Sequence, residues 1–286
     1  MKLHFLFLNE IYYFERNAKF IDEHNKKNAS FILGVNKFAD LTKEEYRRVL
    51  GYKPTQRGHN LNLNKGYAAD RIDWRNHGKV NSIQDQGTCG SCWSFSTTSS
   101  IEGAFAIKYN ELLKLSEQQL VDCTKDYGNW GCDGGDMDWS FRYLQNNAFW
   151  LQKDYSYKGV DQECQKSCQG YVKVLNYTDV PNNSTSALKE AINVMPITVS
   201  VDADSDYWIF YKSGIINTLD WGTYLDHAVT AVGYDQNNWQ EYFIVRNSHG
   251  TDWGINGYVH IATGYDEAGG VCGILMGSSY AEVTKV

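Results

Sequence analysis

Helical spacing of apolar residues gives way to strand alternation at about residue 171 of this 286-residue chain, and that change of period limits the fold more than any other feature. Phe14, Asn17, Ile21 and Asn25 recur at three- and four-residue intervals, which predicts a helix over 14–25. Phe31 to Asp40 alternates as a short strand does. The run Asp40-Leu41-Thr42-Lys43-Glu44-Glu45 reads as a helix start, with Thr42 as cap and Glu45 three residues on. Further helices are predicted over 92–109, with Ile101, Phe105 and Tyr109 on one stripe, over 116–122 behind the cap Ser116, and over 136–146. Beyond 171, Pro196 to Val201, Ala228 to Val232 and Tyr242 to Arg246 alternate between glycine-bearing turns. A helix-rich half followed by a strand-rich half is an α+β arrangement in two lobes, and no internal repeat is seen.

The chain is 42% hydrophobic, enough to build a core. No stretch approaches the roughly 18–20 apolar residues of a membrane-spanning helix, so a membrane role is not expected. A net charge of −7 argues against nucleic acid as the main partner. The charge is split: residues 1–66 carry 12 Lys and Arg against 7 Asp and Glu, a net of +5, and residues 67–286 carry 15 against 27, a net of −12. A basic head with apolar runs reads better as a segment docked on its own acidic body than as a solvated arm. Residues 51–66, rich in Gly, Asn, Gln and Lys with Pro54, read as an exposed linker open to proteases.

Seven cysteines exceed what a reducing compartment usually holds, and the odd count leaves at least one thiol unpaired. Asn28, Asn176, Asn182 and Asn183 each begin a glycosylation sequon, which with the cysteines leans towards the secretory route. Leu3 to Leu8 is short for a signal sequence and lacks a small-residue cleavage site, so the targeting signal is expected to be atypical or the start of the sequence incomplete.

The densest chemical signal is Asp85-Gln86-Gly87-Thr88-Cys89-Gly90-Ser91-Cys92-Trp93. Cys89 and Cys92 can form a redox pair, or half of a zinc site completed by Cys164 and Cys168, or Cys92 can be a nucleophile while Cys89 enters a disulfide. Physics favours the third. Cys92 sits where a glycine-bearing turn meets a predicted helix, and a helix N-terminus with a nearby imidazolium favours the thiolate. Gln86 can donate a side-chain N–H to a developing oxyanion, with the Cys92 backbone N–H as second donor. His227, at the head of a predicted strand, is the candidate base, and Asn247, just after another, can hold the imidazole N–H.

Gln86 through Trp93 resembles the active-site signature of the papain family of cysteine proteases, in its cathepsin L-like branch. Other segments agree: Ser116 to Cys123, Gly131-Cys132-Asp133-Gly134-Gly135, and Trp253-Gly254-Ile255-Asn256-Gly257-Tyr258. Phe14, Asn17, Ile21 and Asn25 resemble part of the family's inhibitory propeptide, and Gly34-x-Asn36-x-Phe38-x-Asp40 its second motif. The resemblance implies a papain-like two-lobed fold, with a helical left lobe and a β-barrel-like right lobe, preceded by a helical propeptide. The expected division is residues 1–66 as propeptide (shortened at its N-terminus) and linker, and 67–286 as peptidase. Within the latter the helical lobe covers about 78–176 and the strand-rich lobe about 177–286 plus 67–77.

The resemblance further implies a cysteine endopeptidase made as an autoinhibited zymogen, with Gln86, Cys92, His227 and Asn247 catalytic and no cofactor or metal. It pairs Cys89 with Cys132 and Cys123 with Cys164, and leaves Cys168 and Cys272 unpaired. It places substrate against Gly134, Gly135, Asp136, Met137, Ser200, Leu225, Ala228 and Gly277. None of the P2-pocket residues is acidic, so Leu, Val or Phe is expected at P2 rather than Arg. Asp136 either favours a basic or polar P3 or is a solvated charge on the rim. Implied partners are peptide and protein substrates, the chain's own propeptide and cystatin-like inhibitors, for a monomer in a lysosome or vacuole or secreted. The departure nearest the chemistry is His249, where the family has a Trp that covers the Asn–His hydrogen bond. Either His249 packs in the same slot, or the site is less shielded and pH-sensitive. Rival functions are an impaired relative that binds peptides without cutting them, and a redox or metal protein using Cys89 and Cys92.

Overall fold

A computed structural model describes residues 2–55, 68–167, 169–220, 222–237 and 239–286. Helix α1 (Lys2–Asn25) extends well upstream of the predicted 14–25. No Gly or Pro interrupts that stretch, while its near-continuous apolar start hid the helical period. Asn17, Ile21 and His24 are its buried residues, whereas Phe14 stays 44% exposed. Asn25 lies outside and instead clamps Leu33, its amide N–H donating to the Leu33 carbonyl and its Oδ1 accepting from the Leu33 N–H, each at 2.9 Å.

Strand β1 (Phe31–Leu33) is shorter than its alternating sequence suggested, because the chain turns away after Gly34. Helix α2 (Lys43–Arg47) follows the predicted capping box: Thr42 Oγ1 accepts from the Glu45 N–H and Glu45 Oε2 from the Thr42 N–H. After β2 (Ile72–Asp73) come α3 (Cys92–Tyr109), α4 (Glu117–Cys123) behind its cap Ser116, and α5 (Met137–Asn146) behind its cap Asp136. These three lie at the predicted places. The remaining elements are β3 (Val172–Asp179), α6 (Thr185–Val194), β4 (Ile197–Val201), α7 (Asp206–Ile209), β5 (Tyr211–Ile216), β6 (His227–Asn237), β7 (Gln240–Arg246), β8 (Tyr258–Ala262) and β9 (Ser278–Lys285). Helix α6 was not foreseen; Ser184 caps it, and Ala187, Leu188, Ala191 and Ile192 form a buried stripe inside a segment read as strands.

The strands form one sheet in the order β1-β5-β8-β7-β6-β4-β9-β3, with β2 on β6. All pairs are antiparallel except β5–β8. Helix α3 lies between two cores. Ile101 and Phe105 join Leu120, Phe141 and Leu144 on the helical side. On the other side Ser96 Oγ donates to the Val229 carbonyl and Ser100 Oγ to that of Pro196, so hydroxyls rather than apolar groups tie the helix to the sheet.

The N-terminal segment is part of the strand-side core. Ile21, Phe31, Leu33, Phe38, Tyr46 and Val49 pack in one cluster with Trp208, Tyr211 and Trp253. β1 adds to the sheet through β5, pairing Phe31 with Gly214 and Ile32 with Ser213. The charge asymmetry appears as ion pairs of Arg47 with Asp204 (2.7 Å), Lys37 with Asp85 (2.5 Å), Lys43 with Asp206 (3.6 Å) and Arg16 with Asp206 (3.9 Å). Asp40, the last residue of the second propeptide-like motif, is exposed and makes no ion pair among the described residues. The linker expected over 51–66 needs correction at its start. Gly51 and Tyr52 are buried, Tyr52 to 3% exposure, because they lie in the cleft between the lobes. Residues 56–66 of that expectation lie outside the described residues.

Phe38 is buried against Tyr46 and His249. Phe38→Ala should cost about 3 kcal/mol of docking, and proteolysis of residues 9–55 in a Cys92→Ala background should speed up by roughly a hundredfold. Unchanged proteolysis would show that the docking contacts lie elsewhere.

Candidate active site

Cys92 is the first residue of α3 and fully buried. His227 opens β6, opposite Val201 of β4, and Asn247 directly follows β7. The turn after β7 returns the Asn247 carboxamide to the imidazole: His227 Nε2 donates to Asn247 Oδ1 at 2.8 Å. That tautomer leaves His227 Nδ1 as the basic nitrogen, and it is buried without a hydrogen-bond partner. The N–H of Ala228, next to His227, donates to Cys92 Sγ at 3.4 Å, which places the sulfur at the head of β6.

Gln86 is also fully buried. Its Oε1 accepts from Ser248 Oγ at 2.6 Å, while the Ser248 N–H donates to Asn247 Oδ1 at 2.8 Å. Ser248 thus links Gln86 to Asn247 and sets which end of the Gln86 amide faces the cleft. Tyr157 braces the same loop, its hydroxyl donating to the Gln86 carbonyl at 2.8 Å and lying 2.7 Å from Ser91 Oγ. Neither Ser248 nor Tyr157 was singled out from the sequence, although Ser248 lies beside Asn247.

The N-terminal segment crosses this centre. Gln86 Nε2 donates to the Val49 carbonyl at 2.8 Å as well as to that of Cys89 at 2.9 Å. The Gly135 N–H donates to the Gly51 carbonyl at 2.8 Å, the Lys53 N–H to the Gly135 carbonyl at 2.9 Å, and the Tyr52 N–H to the Asp226 carbonyl at 2.9 Å. A Cβ on Gly51 would stand 1.8 Å from the Gly90 carbonyl oxygen, so only glycine lets the chain pass here. Gly134, at φ +118°, gives similar clearance to the Gly51 carbonyl. Tyr52 packs with Met137, Leu225 and Ala228, and a Cβ on Gly277 would lie 2.0 Å from Ser200 Oγ and 3.3 Å from the Tyr52 hydroxyl. Tyr52 of the N-terminal segment thus shares a buried cluster with Met137, Leu225 and Ala228 and has its hydroxyl near Gly277, which in turn lies against Ser200.

Asp136 is not a solvated rim charge while the N-terminal segment is in place. It is fully buried, capping α5 through Oδ1 to the Asp138 N–H (2.8 Å) and accepting the Thr55 N–H on Oδ2 (3.0 Å). Cys89 is bonded to Cys132 and Cys123 to Cys164, so neither Cys89 nor Cys164 is available for a redox pair with Cys92 or for a thiolate zinc site. Cys272 is free and buried, and Cys168 lies outside the described residues.

Under the N-terminal segment both members of the pair favour their neutral forms. Burial pushes the Cys92 thiol up to about 11, against opposing backbone N–H groups of Ala228, Gly51 and Trp93. Burial takes His227 down to about 4, with the Asn247 bond opposing. Asp226 is pushed up to about 7, first by burial and then by Asp202 and Asp204. The lowered thiol expected at a helix N-terminus is thus absent while the cleft is filled. The part of the macrodipole that reaches Sγ is smaller than the cost of charging a sulfur out of water.

His249 fills the space beside the imidazole. Its ring stacks on His227 with centroids 4.8 Å apart and planes at 23°, and meets Trp253 and Phe38 edge-on at 5.7 and 5.2 Å.

A family profile described as papain family cysteine protease matches residues 68–282, and one for the cathepsin propeptide inhibitor domain (I29) matches residues 10–46. Among curated proteins, a probable cysteine protease RD21B of Arabidopsis thaliana is 45% identical over 278 residues, 93% of this chain and 59% of that protein, so the chain spans under two thirds of that relative's length. Cysteine proteinase COT44 of Brassica napus is 43% identical over 284 residues, 93% of this chain and 86% of that protein. Among solved structures, a digestive procathepsin L 3 of Tenebrio molitor larval midgut superposes with a TM-score of 0.87 at 34% identity, covering 96% of this chain and 91% of that one. A recombinant stem bromelain precursor does so at 0.89 and 33%, covering 97% and 92%. The chain belongs to the papain family of cysteine proteases, with a cathepsin-type inhibitory propeptide ahead of the peptidase domain.

Proposed function

We propose that residues 67–286 are a cysteine endopeptidase and that residues 1–66 hold it as a zymogen. The helical lobe is taken as about 78–176 and the strand-rich lobe as about 177–286 with 67–77. The observation that carries this reading is the meeting of Cys92 Sγ with the head of β6, where the Ala228 N–H reaches the sulfur and the neighbouring His227 is held by Asn247. Cys92 Sγ gives its proton to His227 Nδ1 and attacks the substrate carbonyl. The Gln86 amide N–H and the Cys92 backbone N–H receive the oxyanion. His227 then protonates the leaving amine, a thioester forms on Cys92, and water activated by His227 hydrolyses it. The Val49 carbonyl on Gln86 supports this role for the amide, since the propeptide seats an acceptor where an oxyanion would form.

Latency has two parts in this reading. The propeptide fills the cleft, and it also keeps Cys92 and His227 neutral by excluding water. Tyr52 among Met137, Ser200, Leu225, Ala228 and Gly277 supports an apolar or aromatic P2 preference. Gly134 and Gly135 are the backbone contacts of substrate. Two disulfides and four exposed sequon asparagines support a lysosomal, vacuolar or secreted setting. Among the described residues no helix is long and apolar enough to cross a membrane.

Cys92→Ala should remove roughly 10⁴-fold or more of kcat with the fold retained; more than a trace of wild-type turnover would reject the mechanism and favour a non-cleaving peptide binder. Peptides with Phe or Leu at P2 should exceed those with Arg by about tenfold or more in kcat/KM; equal values would show the pocket misread.

Processing should be acid-triggered. His227 binds its proton less readily in the filled cleft, at about 4, than an ordinary imidazole at 6.5. His227 therefore contributes docking strength that is present above about pH 6.5 and is lost as pH falls towards 4, while Asp226, raised to about 7, contributes with the opposite sign; the processing expected at acid pH rests on the His227 contribution being the larger. The full chain should shorten itself at pH 4.5 and not at pH 7, while Cys92→Ala stays intact at both. A wild type that stays whole at pH 4.5 would overturn self-processing, and a Cys92→Ala chain that shortens would point to another protease.

A further inference from the structure

His227 has a second imidazole on its face. His249 is 1% exposed, its ring 4.8 Å from that of His227 and nearly parallel to it. Its other neighbours divide by origin. Phe38 packs on it edge-on, and the Tyr46 hydroxyl lies 3.5 Å from Nε2; both belong to the propeptide. Trp253 meets it from the peptidase domain. The charged and titratable groups around it are His227 on β6, Lys37 and Tyr46 of the propeptide, and Asp85 and Asp252 of the peptidase domain. Asp85 bridges to His249 through the backbone and holds Lys37 Nζ on its carboxylate; Asp252 lies beside Gly250.

We propose that His249 is a positioning residue of the mature peptidase, seating the His227 ring while neutral and disabling it on taking up a proton. This rests on the Cys92–His227 reading above. A neutral ring stacked on His227 restricts its rotation about the Asn247 bond and offers a π face to the imidazolium that the thiolate requires. A protonated ring in the same place puts a like charge within about 5 Å of that imidazolium and opposes it. In the zymogen His249 is held neutral. Burial, then His227, then Lys37 push its proton affinity well below the ordinary imidazole range. The first and third of these weaken when the propeptide leaves, taking Phe38, Tyr46 and Lys37 with it. Asp85 then loses its cation and is left as an unpaired carboxylate near His249. Maturation therefore restores to His249 the ability to titrate in the acid range.

Two protons, one on the Cys92 thiolate and one on His249, then inactivate the mature enzyme at the acid end. The experiment is the pH dependence of kcat/KM after processing of the full chain, for wild type, His249→Phe (ring without titration) and His249→Gln (neither ring nor titration). The acid limb of the wild type should approach a slope of 2 in log kcat/KM against pH and that of both variants a slope of 1, so the variants gain about tenfold relative to wild type per pH unit on that limb. His249→Gln should also lose kcat relative to His249→Phe with KM little changed, because only the phenylalanine keeps a ring against His227. A wild-type acid limb of slope 1 overturns the proposal without any variant, and so does a slope of 2 that persists in either variant. Failure of the catalytic reading is distinct: it appears as activity surviving Cys92→Ala, whatever the shape of the limb.

Discussion

Helix α3 is buried from Cys92 through Ala106, and the rest of the cleft is arranged around that fact. A helix enclosed on all sides is usually apolar all round. This one instead carries Ser94, Ser96, Thr97, Thr98, Ser99 and Ser100 in sequence. Small hydroxyl residues let the sheet approach closely, and Thr97 Oγ1 returns its hydrogen bond to the Trp93 carbonyl within the helix (2.8 Å). Ile101 and Phe105 anchor one side while Ser96 and Ser100 bond the β6 and β4 region on the other. The helix start, and with it Cys92, is therefore fixed relative to both lobes at once. Without that double attachment the sulfur and the head of β6 would be set by two independent bodies, and the 3.4 Å approach of the Ala228 N–H would not be maintained.

That same burial explains why the zymogen state is electrically quiet. A reactive thiolate needs water, or a charge, near the sulfur; the propeptide removes the first and brings no cation close enough to supply the second. Three of its basic side chains, Lys37, Lys43 and Arg47, are committed to Asp85, Asp206 and Asp204. With the propeptide in place, burial favours the neutral forms of both Cys92 and His227. Gly51 makes this possible, because a larger residue would hold the chain off Gly90 and leave room for solvent.

Much of this was legible in the sequence, for identifiable reasons. The peptidase helices α3 and α4 announced themselves through the Ile101–Phe105–Tyr109 stripe and the cap Ser116, and α5 was read over 136–146 without its cap being recognised. Gln86, Cys92, His227 and Asn247 stood out because each chemical type falls at a turn, a helix start or a strand end. What escaped had no local signal. Tyr52 lies among Gly, Lys, Pro and Asn, a composition that reads as exposed chain, yet the cleft buries it; only the tertiary fold knows that. Asp136 looked like a rim charge because nothing local says that a cap will be enclosed. The α6 stripe was lost among β-branched neighbours, and the upstream half of α1 was too evenly apolar to show a period. Ser248 acts through a bond to Gln86, 162 residues distant, and no spacing rule reaches that far.

The charge asymmetry was equally plain in the sequence, yet it does not hold the zymogen together. The four head-to-body ion pairs among the described residues all have partly exposed partners, and pairs of that kind contribute little and are screened by salt. Ile21, Phe31, Leu33, Phe38, Tyr46 and Val49, each 5% exposed or less, outweigh them at roughly 1.5–3 kcal/mol apiece for full burial. The charges are better placed to orient the head as it docks than to keep it there. Loss of these surface pairs can therefore loosen the propeptide only slightly. Inside the cleft the two shifted groups act in opposite directions: docking strength that depends on a neutral His227 is lost as pH falls, whereas the raised Asp226 carboxyl favours the docked state there.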